Sequence, residues 1–148
     1  MNPQNFTLTL LLNASPDVVF DAILDVRAWW SGTIDGDTDK VGATFRYRYA
    51  DLHDSTQRVT ELVRGEKLVW HVSDAHLSFV ERADEWKGTD IVFELAPRGA
   101  STELTFTHVG LRAACECYGA CSKGWTTLIE GNLQRRVASG RTQPDAFA

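Results

Sequence analysis

The sequence lacks the features that mark membrane and secreted proteins. Its longest apolar run, Leu8–Leu12, is interrupted by Thr9 and falls far short of the roughly 20 residues that a membrane-spanning helix needs. The N-terminus has no charged and then apolar leader that ends in a small-residue cleavage site. We therefore expect a cytoplasmic protein that does not insert into membranes.

Positive charge is also scarce. The chain has 15 lysines and arginines against 20 aspartates and glutamates, which gives a formal net charge of −5. Proteins that bind nucleic acids carry basic patches, because phosphate contacts supply most of the affinity. The one basic concentration, near the C-terminus, has the spacing of a solvated helix face and comprises Lys123, Arg135, Arg136 and Arg141. We expect no nucleic-acid partner.

Cysteine is confined to the segment CECYGAC, which contains Cys115, Cys117 and Cys121. A disulfide framework would join distant parts of the chain, so this clustering argues against one. On a helix, Cys117 and Cys121 share a face, whereas Cys115 points about 200° away from Cys117. A structural zinc ion needs four ligands, and the only neighbouring histidine in the predicted arrangement is His108.

A catalytic cysteine would need a base that is itself held in position. His108 is the one candidate base, and no Asn or Asp is placed to orient it. The simpler interpretation is that Cys117 and Cys121 pack as small apolar residues. We predict no metal, no cofactor and no catalytic residue, and leave open whether these two cysteines have a redox or metal role.

An acidic segment, IDGDTDKVG, has the alternate aspartates of a calcium-binding loop. The EF-hand pattern requires glycine at its sixth position and glutamate at its twelfth. Counted from Asp35, these positions are Lys40 and Arg46. The segment is predicted to be a solvated loop.

The first elements are a strand and two short helices. Residues 5–12 alternate between apolar and polar side chains, which predicts a strand. In SPDVVFDAIL, Ser15 is a suitable N-cap and Pro16 suits the first helical position, and an apolar stripe follows at helical spacing. Residues 27–30 predict a second short helical turn.

The remainder of the chain predicts strands and then one long helix. Alternation from Ala43 onward indicates five more strands, with turns near residues 64–67 and 97–100. Gly110 interrupts this pattern, and apolar residues from Leu111 to Val137 then recur at helical spacing, which predicts a helix that ends near Gly140. Three glycines inside this helix each cost roughly 1 kcal/mol relative to alanine. They indicate close approach of another backbone, or space beside the helix, and are Gly119, Gly124 and Gly131.

This element order predicts an α+β fold, because the apolar face of an antiparallel sheet must be covered and only the C-terminal helix is long enough. The order and several stretches resemble the SRPBCC (START-like, helix-grip) superfamily and, within it, the family named for the activator of the heat-shock chaperone ATPase. The stretches are SPDVVFDAIL followed by WW, VTELVRGEKLVWHV, EWKGTDIVFEL, FTHVGL leading to ECYGACSKGW, and LQRRVASG.

The likeness spans roughly residues 6–140 and implies one START-like domain over residues 1–148. It implies a curved antiparallel sheet of about six strands wrapped around the C-terminal helix, with two short helices after the first strand. Members of the superfamily use an apolar cavity for lipids, polyketides or hormones, and some are cyclases or hydrolases. The co-chaperone that gives the family its name carries a further N-terminal domain that this sequence lacks, so we do not carry chaperone activation over to it.

Side chains from several predicted elements should converge on one interior, where they could line a cavity or simply fill the core. The predicted cavity residues are Trp29, Trp30, Tyr47, Trp70, Phe106, His108, Cys121 and Trp125. Tyr47 and His108 would supply the fixed polar groups. Trp86 is predicted to anchor the start of a strand instead.

We therefore predict binding of a small apolar or amphipathic molecule between sheet and helix. One alternative is an enzyme that uses the same cavity, with His108 or a tyrosine as acid or base, although the sequence shows no paired carboxylates and no ordered triad. Another is an interaction module, such as a chaperone partner. A homodimer is left open.

Overall fold

The computed structural model describes residues 5–30, 32–78, 80–81, 84–112, 115 and 118–139. Within these residues, seven strands form one antiparallel sheet in the order β1-β7-β6-β5-β4-β3-β2. The strands are β1 (Asn5–Leu12), β2 (Thr33–Gly36), β3 (Thr44–Tyr49), β4 (His53–Val63), β5 (Lys67–Leu77), β6 (Asp90–Arg98) and β7 (Ser101–Arg112). The predicted α+β architecture is confirmed, with one strand more than the six predicted.

Two short helices follow β1, as predicted: α1 (Pro16–Leu24) and α2 (Val26–Trp29). The Ser15 hydroxyl accepts a hydrogen bond from the backbone N–H of Val18, and Pro16 occupies the first turn. The apolar stripe of α1 is fully buried at Val19, Phe20 and Ile23. The N-terminal signals of this helix therefore act as their residue types predict.

The additional strand is β2, which lies in the segment predicted to be entirely loop. It pairs with β3, and both Gly32 and Gly36 adopt positive φ angles, of +89° and +112°. A Cβ at either glycine would lie 2.3 Å from a carbonyl oxygen of β3, so only glycine fits. Arg27 donates hydrogen bonds to the carbonyl oxygens of Ile34 and Gly36, at 3.1 and 2.8 Å, and so occupies part of this sheet edge.

The start of the C-terminal helix was predicted too early. Strand β7 continues through Gly110 and Leu111 to Arg112, and helix α3 (Tyr118–Thr126) begins at Tyr118. Gly110 has a φ of +103°, and a Cβ there would lie 2.6 Å from the Thr89 side chain. The backbone N–H of Gly110 donates to Asn5 Oδ1 at 3.1 Å, beside a register shift between β1 and β7. The glycine therefore permits an irregularity within the strand and does not end it.

The C-terminal helix has three parts: α3, a π-helical segment (Thr127–Leu133) and α4 (Gln134–Ser139). The π-helical segment, which the sequence did not predict, buries Leu128, Ile129 and Leu133. Its Asn132 Nδ2 donates to the carbonyl oxygen of Trp29 at 3.0 Å and so ties the helix to α2. No helix in the described part of the chain is both long and apolar enough to cross a membrane.

The helix glycines leave space beside the helix. A Cβ at Gly119 would meet no atom within 4 Å, and one at Gly131 would meet only the Arg135 guanidinium, at 3.9 Å. Close approach of another backbone is therefore not the reason for glycine at these two positions.

Alternation along the strands separates buried side chains from exposed ones. Phe45, Trp70, Phe93 and Phe106 are fully buried on the face of the sheet that meets the helices. His71 has the opposite phase to Trp70 and its side chain is 41% exposed, paired with Asp90 at 2.8 Å. Alternation thus predicted correctly which side chains face the core.

Candidate functional site

A cleft of about 360 Å³ lies between the C-terminal helix and the ends of β3 and β4. The sheet side contributes mainly aromatic side chains and the helix side mainly small or apolar ones. The lining residues are Trp30, Tyr47, Tyr49, Leu52, His53, Trp86, Ala120, Cys121, Lys123, Gly124, Trp125, Thr127 and Leu128. Volumes of this size are at the lower end of those found for small-molecule sites.

The eight residues predicted from the sequence to line a cavity divide into two layers. Four of them line the cleft: Trp30, Tyr47, Cys121 and Trp125. The other four lie behind this wall and are completely buried: Trp29, Trp70, Phe106 and His108. The second layer contacts the first, since the Trp30 ring centroid lies 5.6 Å from that of Trp70 and the Trp125 centroid 4.6 Å from that of Phe106.

Several lining residues were not predicted from the sequence. Tyr49 shares the inward phase of Tyr47, so it could have been included by alternation alone. Leu52 lies in the turn that joins β3 to β4, and His53 is the first residue of β4. Alternation along β3 carries no information beyond that turn. Trp86, expected to anchor a strand, lines the cleft and stacks on Trp125 with the ring planes 6° apart and the centroids separated by 5.7 Å.

Trp30 is the centre of the aromatic wall. It is 2% exposed, and its ring makes edge-to-face contacts with the rings of Trp29, Phe45, Tyr47, Trp70 and Trp125. Such ring pairs contribute about 0.5–1.5 kcal/mol each beyond the burial of their area. One side of the cleft is therefore a wall of mutually packed rings.

His108 positions this wall from behind. The Trp125 indole N–H donates to His108 Nδ1 at 3.0 Å, and His108 Nε2 lies 2.8 Å from Thr89 Oγ1. Because the Thr89 hydroxyl donates its proton to the carbonyl oxygen of Trp86, at 2.6 Å, Nε2 must carry the imidazole proton. Burial lowers the pKa of His108 to about 3, with a smaller contribution from His53. The imidazole is thus neutral, engaged at both nitrogens, and does not line the cleft.

His53 is the histidine that does line the cleft. Its ring packs edge-on against Tyr47 and Trp86, with centroids 4.9 and 4.6 Å away. Its Nε2 lies 2.7 Å from Ser55 Oγ, which already accepts a hydrogen bond from Gln57. Either nitrogen of the neutral His53 ring can carry the proton, because the Ser55 hydroxyl can donate to Nε2 or accept from it. Burial lowers the pKa of His53 to about 4, against a smaller opposing effect of Asp54.

The polar groups of the cleft are consequently neutral near pH 7, with one exception. Burial raises the pKa of the Tyr47 phenol, so it stays protonated. Among the described residues, neither Tyr47 Oη nor His53 Nδ1 has a hydrogen-bond partner. The exception is Lys123, the one charged side chain among the described lining residues, which is exposed and forms no ion pair with any described residue.

The cysteines have different environments. Cys121 is 7% exposed in the cleft wall, where its sulfur accepts a hydrogen bond from the Trp86 indole N–H at 3.3 Å. Cys115 is half-buried and contacts the Gly110 carbonyl oxygen at 3.5 Å. Cys117 lies outside the described residues, so the prediction that it shares a helix face with Cys121 stays a prediction. Among the residues described, no three His, Cys, Asp or Glu side chains come together as a metal site would require.

Comparison with known proteins places this geometry in a family. The model of the family described as Activator of Hsp90 ATPase homolog 1-like protein matches residues 13–138. A search of curated proteins finds no match.

Solved structures share the fold. The solution structure of the Aha1 dimer from Colwellia psychrerythraea is 23% identical with a TM-score of 0.74, over 93% of this chain and 98% of that one. A Staphylococcus saprophyticus protein is 14% identical with a TM-score of 0.67, over 95% and 96% of the two chains. DynU16, a putative protein in the dynemicin biosynthetic locus, is 17% identical with a TM-score of 0.69 over 95% of this chain, which spans 49% of that longer one.

Proposed function

Given that the chain belongs to the Activator of Hsp90 ATPase homolog 1-like protein family, we propose that it binds a small, largely apolar molecule in the cleft between its sheet and its C-terminal helix. The observation that carries this proposal is the cleft itself, which is walled by six rings and still contains unfilled volume. Apolar walls with a few convergent polar groups are typical of ligand sites.

The polar groups support binding more than catalysis. General acid–base chemistry works best when the catalytic pKa lies near the working pH. His53 titrates near pH 4 and Tyr47 only at strongly alkaline pH, so neither exchanges protons readily at pH 7. The Tyr47 hydroxyl instead offers a hydrogen-bond donor to the cleft, and His53 Nδ1 offers a second polar atom; both would orient a bound molecule. A cytoplasmic location stays a prediction alongside this function.

Filling the cleft from the helix side should abolish binding without loss of stability. Gly124 lines the cleft within α3, and its replacement by leucine puts an isobutyl group into the binding volume. Leucine also favours the helix by up to about 1 kcal/mol relative to glycine. We expect Gly124→Leu to bind the neutral fluorescent probe N-phenyl-1-naphthylamine at least tenfold more weakly than the unmodified protein, with an unchanged or higher melting temperature.

Gly119→Leu is the matched control. Gly119 lies on the same helix, is exposed and does not line the cleft, and an added Cβ there contacts nothing within 4 Å. This variant should bind the probe as the unmodified protein does. Equal probe binding by both leucine variants would show that the probe binds elsewhere, and failure of the unmodified protein to bind would count against the proposed function.

A homodimer is a second proposal, favoured by the dimeric state of the similar Colwellia psychrerythraea protein, which this chain matches over nearly its whole length. Light scattering coupled to size-exclusion chromatography should then give about twice the 16.5 kDa mass of the chain. A single species at the monomer mass across micromolar concentrations would reject it. The family description and the name of that structure both refer to a chaperone activator. Those names describe other proteins, and we propose no chaperone partner for this chain from them.

A further inference from the structure

We propose that the molecule bound in the cleft is an organic anion, whose apolar body lies against the aromatic wall and whose anionic group meets Lys123 at the mouth. This inference rests on the proposed function and specifies the chemical class of the ligand. Its starting observation is the charge of the lining: among the residues that the structure describes, Lys123 is the one charged side chain and no carboxylate lines the cleft.

The position of Lys123 determines where the anionic group would lie. Lys123 is exposed on α3, whereas Trp30 and Trp86 are 2% and 5% exposed. An anion placed deep in the cleft would exchange its hydrating water for apolar walls and for two neutral polar side chains, His53 and Tyr47. This exchange carries a large cost in free energy. An anion at the mouth keeps part of its water and gains the attraction of the ammonium group.

The same charge argues against a cationic ligand. Aromatic walls can attract cations through their ring faces. A cation in this cleft would be close to the Lys123 ammonium, and no carboxylate from a described lining residue would offset the repulsion. Two other lysines form ion pairs in the structure, Lys40 with Asp37 and Lys67 with Glu61. Lys123, in contrast, pairs with no described residue.

Three probes of one shape and different charge test the inference: 2-naphthoate, 2-naphthamide and 2-naphthylmethylammonium. Dissociation constants from isothermal titration calorimetry at low ionic strength should rank the anion tightest and the cation weakest. An exposed ion pair accounts for a factor of about two to five between the anion and the neutral amide. This factor should shrink toward one as sodium chloride is raised to about 0.5 M, because salt screens exposed charges.

Variants at Lys123 identify the source of the preference. Lys123→Met should bring the anion and the amide to equal affinity, and Lys123→Glu should rank the cation tightest. Lys40→Met, which removes the same charge from a loop outside the cleft, should retain the anion preference. Far-UV circular dichroism checks that each variant is folded.

The outcomes separate the anion assignment from the proposed binding of an apolar molecule. Binding of all three probes with equal affinity, or an anion preference that persists in Lys123→Met, would overturn the anion assignment and leave the proposed function intact. Binding of none of the three by the unmodified protein would overturn both. An adventitious surface site is detected by the Gly124→Leu variant, which should lose all three probes.

Discussion

Replacing Trp30 by alanine is expected to lower the free energy of unfolding by about 3–5 kcal/mol, the range observed when a fully buried large aromatic side chain is truncated. The indole packs against five other rings, so its loss leaves a void bounded by side chains that are themselves fixed by their neighbours. Such a wall can collapse only in part. Since a domain of this size is stable by about 5–15 kcal/mol, the loss is at least roughly a fifth of the total stability.

Urea unfolding monitored by far-UV circular dichroism measures this effect. Trp30→Phe should cost considerably less, because it keeps a ring in the wall and removes a buried indole N–H for which the described residues provide no acceptor. Val41→Ala, at a side chain that is 62% exposed, should change stability by no more than about 0.5 kcal/mol. A cost below about 1 kcal/mol for Trp30→Ala would mean that the ring does not hold the wall together.

Lowering the pH from 7 to 5 is expected to reduce the free energy of unfolding by about 3–4 kcal/mol, from the two buried histidines together. In the unfolded chain each imidazole binds a proton below pH of about 6.5. In the folded protein His53 stays neutral down to a pKa of about 4 and His108 down to about 3. The unfolded state therefore holds up to two more protons in this interval. The stability that the two neutral histidines contribute is complete above pH of about 6.5. It is lost progressively as the pH falls toward about 4 for His53 and toward about 3 for His108.

The non-titrating variant His108→Gln isolates one of the two contributions. Its amide oxygen can still accept from the Trp125 indole, although we expect lower stability at pH 7 because the geometry of the imidazole is not fully reproduced. Between pH 6 and 5, the slope of unfolding free energy against pH should correspond to nearly two protons in the unmodified protein and to nearly one in His108→Gln. Each proton corresponds to about 1.4 kcal/mol per pH unit. An unchanged slope would contradict the assignment, and imidazole NMR signals followed against pH would show directly which histidine titrates.

Much of the fold could be predicted because its signals are local. The cap at Ser15 and the first-turn Pro16 act within one helical turn, and alternation along β5 separates Trp70 from His71 without knowledge of any other strand. The family resemblance depended on such stretches in their order, and the match over residues 13–138 confirms it. Strand β2 was missed because a four-residue edge strand that ends in glycine has the composition of a loop.

The start of the C-terminal helix was wrong for a related reason. Leu111 fits a helical repeat and is buried, yet it is buried as part of β7, because an apolar residue at one position is compatible with either period. Gly110 appeared to end the strand, whereas it relieves contact with Thr89, a residue 21 positions earlier in the chain. That neighbour cannot be identified from local sequence.

The sequence by itself determined the fold family, the inward faces of the strands and the set of aromatic residues that gather in the interior. Only the tertiary structure decided which of them border empty space. Trp70 and Phe106 face inward as Tyr47 does, but other rings cover them: Trp30 packs on Trp70 and Trp125 packs on Phe106, and it is these covering rings that line the cleft. The period of the apolar residues in the sequence specifies the direction in which a side chain points. Whether that side chain borders a cleft depends on how closely atoms from the opposite side of the fold approach it.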